Sequence, residues 1–172
     1  MTRRGKIGYF ITVMSYVPLL LFVGFVVWKA AGSVLESRAD KLLVNGIERG
    51  NVAAVRQALA NGADVEKVVS GTGIPPIQLA SAWGRTDVIA ALLDGGADIK
   101  RVPENCATPL IFAVSNGHLA AVKLLLSRGA DAKGIQSPSG RTPQSAAATS
   151  TQMTDSQREE MAVLLQKAGA TK

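Results

Sequence analysis

Only one cysteine, Cys106, and one histidine, His118, occur in the 172 residues. An intrachain disulfide is therefore excluded, as is any metal site built from paired cysteines or paired histidines. Aromatic residues make up 5% of the chain and charged residues 19%. The formal charge of +6 is unevenly spread, because Arg3, Arg4 and Lys6 hold half of it at the N-terminal end. The remainder mixes basic with acidic side chains, so no nucleic-acid partner is expected. There is no Gly-rich phosphate loop, no nucleophile with a histidine and an acid in a recognisable pattern, and no framed carboxylate pair. No enzymatic activity, catalytic residue, metal or cofactor is expected.

One stretch is rich in what the rest has sparingly. Residues 7–28, IGYFITVMSYVPLLLFVGFVVW, carry no charge and lie between Lys6 and Lys29. A helix of that length reaches about 33 Å, enough to cross a hydrocarbon core of about 30 Å. The expectation is a basic tail over 1–6, a single-pass transmembrane helix over 7–28 and a juxtamembrane linker over 29–40. The dense basic cluster before the run favours an inside N-terminus. The chain is accordingly expected in a bacterial inner membrane, with residues 41–172 periplasmic or otherwise extracytoplasmic. The alternative is a secretory signal cleaved near Gly32 in the small-residue stretch Ala30-Ala31-Gly32. Gly8, Thr12 and Ser15 lie at a spacing that would let a second membrane helix approach, as in a subunit of a membrane complex.

Beyond the linker the sequence repeats itself. Gly-Ala occurs at Gly62-Ala63, Gly96-Ala97, Gly129-Ala130 and Gly169-Ala170, at intervals of 34, 33 and 40 residues. A second phrase, Pro75-Pro76-Ile77, Thr108-Pro109-Leu110 and Thr142-Pro143-Gln144, recurs at 33 and 34. Two phrases sharing one period mark a repeat architecture. Thr108 and Thr142 suit helix N-caps, and Pro109 and Pro143 suit the first helical turn. Gly84 and Gly117 suit tight turns between helices, and Gly62, Gly96, Gly129 and Gly169 suit helix ends. Val88, Ile89, Leu92 and Leu93, like Val122, Leu125 and Leu126, give each second helix an apolar face. A single repeat cannot bury that face, so neighbouring repeats must stack.

These residues resemble the ankyrin repeat. The third copy, TPLIFAVSNGHLAAVKLLLSRGAD at 108–131, matches the family pattern most fully, and PPIQLASAWGRTDVIAALLDGGAD at 75–98 keeps much of it. The resemblance implies an all-α ankyrin-repeat solenoid of about four helix-turn-helix repeats, over about 41–73, 74–106, 107–140 and 141–170, preceded by the transmembrane helix. It also makes His118 part of a structural Gly-His turn, while Cys106 reads as a tolerated small residue in a loop. The chain departs from the family in one way that matters. The histidine that follows Thr-Pro-Leu and links neighbouring repeats is replaced by Gln78, Ile111 and Ser145, so a weaker polar link is expected. The first and last repeats are degenerate and serve as caps, the last with a polar loop near 149–157.

The family resemblance implies binding of a protein partner through inter-repeat loops and the exposed side of each first helix. By position the candidates are Lys67, Lys100, Arg101, Glu104, Lys133 and Arg141 on loops, and Trp83, Ser115 and Asn116 on first helices. Tryptophan and arginine are enriched at interface hot spots. The basic excess on the loops implies a partner of acidic character. The expected function is a membrane-anchored, non-enzymatic binding adaptor. The alternatives are a structural accessory subunit of a membrane complex, or a secreted ankyrin protein.

Overall fold

Short apolar segments separated by turn glycines fold here as helix pairs. The computed structural model describes residues 38–69, 72–103, 106–133 and 137–170. All but Arg38 belong to one unit, Ala39–Lys172. Eight helices occur among the described residues: α1 Arg38–Arg49, α2 Val52–Ala60, α3 Pro76–Ala82, α4 Thr86–Asp94, α5 Pro109–Ser115, α6 Leu119–Ser127, α7 Pro143–Thr149 and α8 Asp155–Ala170. First helices pack on first helices, α3 on α5 and α5 on α7; second helices follow suit, α2 on α4, α4 on α6 and α6 on α8. The result is two helical layers with the core between them. Ile77, Leu92, Leu110, Leu125 and Leu165, all at most 1% exposed, form its spine.

The local signals work as the residues suggest. Thr108 Oγ1 accepts the Ile111 N–H at 3.4 Å at the start of α5. Thr142 and Ser145 close a reciprocal capping box on α7, at 3.1 and 2.9 Å. Thr154 and Gln157 cap α8 in a similar way, satisfying N–H groups that no helical carbonyl can reach. The polar 149–157 segment is thereby shorter as a loop than expected, since α8 already begins at Asp155. Gly169 departs from its expected part too. It does not end α8 but lies buried inside it, where a Cβ would come within 3.2 Å of the Lys133 side chain.

A joint recurs between successive repeats. The turn glycine of each repeat is covered by a side chain of the next: Gly50 by Arg85, Gly84 by His118, Gly117 by Met153. At Gly84 an added Cβ would meet the His118 ring at 2.6 Å, and at Gly117 it would meet Met153 Cγ at 2.7 Å. Both glycines also have positive φ, 63° and 74°, a region costly to any other residue. A carbonyl near the end of each first helix takes a hydrogen bond from the following repeat. Arg85 Nη2 donates to Glu48 O at 3.2 Å, His118 Nε2 to Ala82 O at 3.0 Å, and Ser150 Oγ to Ser115 O at 2.7 Å. A carbonyl only accepts, so His118 holds its proton on Nε2. This is the structural part expected of the Gly-His turn.

The polar link expected to weaken is replaced in part. Gln78, fully buried, donates from Nε2 to Arg101 O in the loop that leads into the third repeat, at 3.0 Å. One residue before Ser145, Gln144 makes a different link, donating back to Ala132 O in the preceding loop at 2.9 Å.

One expectation is corrected outright. Placement as a single-pass protein of a bacterial inner membrane, with periplasmic repeats, has no support, because no helix among the described residues is long and apolar enough to cross a membrane. The helices found have 7 to 16 residues, well below the roughly 20 that a span needs. The apolar run at 7–28 lies outside the described residues.

Candidate functional site

The loops and first helices meet along one side of the array in a groove of about 590 Å³. Its floor is α5, from which Ile111, Phe112, Ser115 and Asn116 contribute. Residues 112, 115 and 116 are spaced three and four apart, so they share one helix face. The walls are loops: Thr72, Gly73 and Ile74 on one side, Cys106 and Ala107 in the middle, and Ser137, Pro138, Ser139 and Arg141 on the other. The first wall is a short hairpin held by the Val69–Ile74 bridge. Arg141 is the one charged group among these lining residues.

The groove has a spare polar group on its floor. Ser115 Oγ has no hydrogen-bond partner among the described residues, whereas Asn116 is tied back to Phe112 O at 2.9 Å. Trp83 is the C-cap of α3 as Asn116 is of α5, so it stands one repeat along in the same register. It is 51% exposed, which rules out packing between repeats. Arg85 lies over its ring at 6.0 Å, the outer limit for a cation–π contact.

Along the loops, the structure separates the expected charges into two groups. Lys67 pairs with Asp40 at 2.7 Å, and Arg101 pairs with Glu66 at 2.9 Å. The same two acids accept backbone N–H groups of the next loop, Asp40 from Asp64 and Glu66 from Asp98. Lys67 therefore ties its loop to α1, and Arg101 ties its loop to the one before. Lys100 stands in the register of Glu66, each following an Asx turn made by Asp98 or Asp64, and its ammonium makes no ion pair with a described residue. Lys133 follows the same turn at Asp131 and lays its stem against Gly169. Glu104 lies outside the described residues.

Of the expected binding residues, the groove thus brings together Ser115, Asn116 and Arg141. It leaves Lys67, Lys100, Arg101 and Lys133 along the loops. Sequence reasoning missed Phe112, Ile74 and the hydroxyl pair Ser137 and Ser139. Phe112 was within reach, because it lies one turn before Ser115 and Asn116. Ile74 and the serines were not, since loop tips carry no period. Cys106, 8% exposed, is in the groove wall as a small apolar filler. Among the described residues no group of three His, Cys, Asp or Glu could hold a metal ion.

Comparison with known proteins agrees with the helix-pair fold. A family model described as ankyrin repeats, three copies, matches residues 43–136. The chain is 38% identical to the 2-5A-dependent ribonuclease of Mus musculus over 43% of its own length and 10% of that protein. It is 38% identical to the palmitoyltransferase Hip14 of Drosophila melanogaster over 52% of this chain and 14% of that one. An ankyrin repeat-containing protein of Schizosaccharomyces pombe is 40% identical over 42% of this chain and 34% of its own. The chain thus spans no more than about a third of these relatives.

Proposed function

Because the chain belongs to the ankyrin repeat family, we propose that its array is a non-enzymatic protein-binding module that grips its partner across the groove floored by α5. The observation that carries this reading is the combination of an open groove drawn from three consecutive loops with an exposed tryptophan one repeat away. An aromatic ring held in water at half exposure is costly to keep unless something covers it, and tryptophan is the side chain most enriched at binding hot spots. The relatives fit the same reading in a limited way. Two of them are named as enzymes, and the matched portion is a small part of each. The shared element is the repeat array, and it works here as the adaptor.

The test is crosslinking with a defined readout. A photoreactive residue placed at Phe112 should capture a partner on irradiation in cells, and one placed at the exposed Glu159 on α8 should not capture the same species. Phe112→Arg with Trp83→Ala should abolish that capture with helical content unchanged. Capture that survives both changes sinks the groove as the binding face.

A further inference from the structure

Among the described residues, Arg141 is the one charged residue lining the groove, and its guanidinium is little used. One N–H group of Nη2 reaches Thr149 Oγ1 at 3.3 Å, while no described carboxylate pairs with it. A guanidinium carries five N–H donors in a planar fork that matches a carboxylate. Its neighbours are hydroxyls. Ser137 Oγ accepts the Arg141 N–H at 3.0 Å and lies 3.0 Å from Ser139 Oγ, a contact that uses a single hydroxyl proton. The other hydroxyl proton is left to donate.

Acids along this edge are, among the described residues, engaged elsewhere. Asp40 pairs with Lys67, Glu66 with Arg101, and Asp131 closes its own loop turn. Ile74 and Phe112 lie in the same groove and offer apolar surface beside the cation.

We propose that the groove receives an extended partner segment carrying an acidic side chain, whose carboxylate seats on Arg141 and the Ser137 and Ser139 hydroxyls, with an apolar neighbour over Ile74 and Phe112. This rests on the groove being the binding face. Charge complementarity decides the occupant: a basic segment would meet Arg141 with repulsion, and a neutral one would leave the fork unfilled in a partly enclosed place.

A random dodecapeptide display library panned against the immobilised full chain tests the idea. Selected peptides should be enriched in Asp or Glu next to an aliphatic or aromatic residue. Their affinity should fall about tenfold or more with Arg141→Gln, the size expected for losing a charge-assisted bidentate contact. Panning against Arg141→Glu should shift the selection toward Lys and Arg. Each variant is first checked for wild-type helical content, and Arg141→Lys, which keeps the charge and loses the fork, should fall between wild type and Arg141→Gln. Peptides that depend on Phe112 yet show no acidic bias overturn the carboxylate seat and leave the groove standing. An acidic bias that persists with Arg141→Glu overturns it equally. Peptides indifferent to Phe112→Arg, or a library yielding no binder, overturn the groove reading and this inference with it.

Discussion

The two ends of the loop edge are built on one frame and behave differently. At the first end, an acid receives both a backbone N–H and a basic side chain of a later loop: Asp40 in the first turn of α1 with Asp64 and Lys67, and Glu66 of the first repeat with Asp98 and Arg101 of the second. One repeat further along, the place of Glu66 is taken by Lys100, which cannot accept, and the stitch stops. Arg141 then faces an open groove with no acid among its described lining residues. The same turn geometry thus makes a self-satisfied edge where the residue is glutamate and an available one where it is lysine. Electrostatic identity at one register, rather than backbone shape, separates the part of the surface that holds the array from the part free to hold something else.

The comparison can be broken or sharpened by substitution. The harshest change removes the frame beneath both ends. Leu125, fully buried in α6, should cost about 2–5 kcal/mol when truncated to alanine, and urea unfolding followed by circular dichroism should show both ends melting together. If the N-terminal pair of repeats survives in a separate transition, the two ends do not share one frame. Next comes the joint. Gly117→Ala adds a clash with Met153 to positive-φ strain and should lose about 1–3 kcal/mol. Gly62→Ala, with φ of 83° and nothing within 4 Å of an added Cβ, isolates the strain alone and should cost about 1 kcal/mol. Equal losses at the two positions would mean that the Met153 contact contributes nothing.

The stitches should be weaker than the frame. Glu66→Gln keeps an acceptor for Asp98 and removes the charge facing Arg101, whose side chain is 40% exposed. The expected loss is about 0.5–1 kcal/mol, fading as salt is raised. The mildest change is Lys100→Glu, which puts an acid where the third stitch is missing. It should stabilise the fold by at most a few tenths of a kcal/mol, measured as the midpoint of urea unfolding at low salt. A clear destabilisation would show that Lys100 has a structural part that its position does not reveal.

The repeats were legible because their signals are local: Thr-Pro at a helix start, glycine at a turn, leucines at helical spacing. His118 was read as structural from the family's Gly-His turn, which Gly117 and His118 match. The stitches were not legible, since Asp40 and Lys67 lie 27 residues apart and pair only after folding brings α1 beside the loop that follows α2. Lys67 and Arg101 therefore looked like free binding charges. Gln78 looked like a lost link because its partner, the Arg101 carbonyl, is a backbone group that no side-chain pattern announces. Gly169 misled by its phrase. Gly-Ala marked three helix ends, and at the fourth occurrence the helix carries on through it.

The joint between repeats has a further consequence. Its receiving half is always the same, a bare carbonyl beside a glycine, while its giving half varies among arginine, histidine and the Ser150–Met153 segment. A uniform socket that accepts dissimilar plugs lets units be inserted without redesigning their neighbours. A duplicated copy of the third repeat placed directly after itself would present His118 to Gly117, much as His118 is presented to Gly84, and should lengthen the array. At the equivalent place in the fourth repeat, Thr151 follows the C-cap Ser150 and no glycine is there to receive a plug. The array is therefore suited to growth from within, whereas a unit added behind the fourth repeat would find no socket to enter.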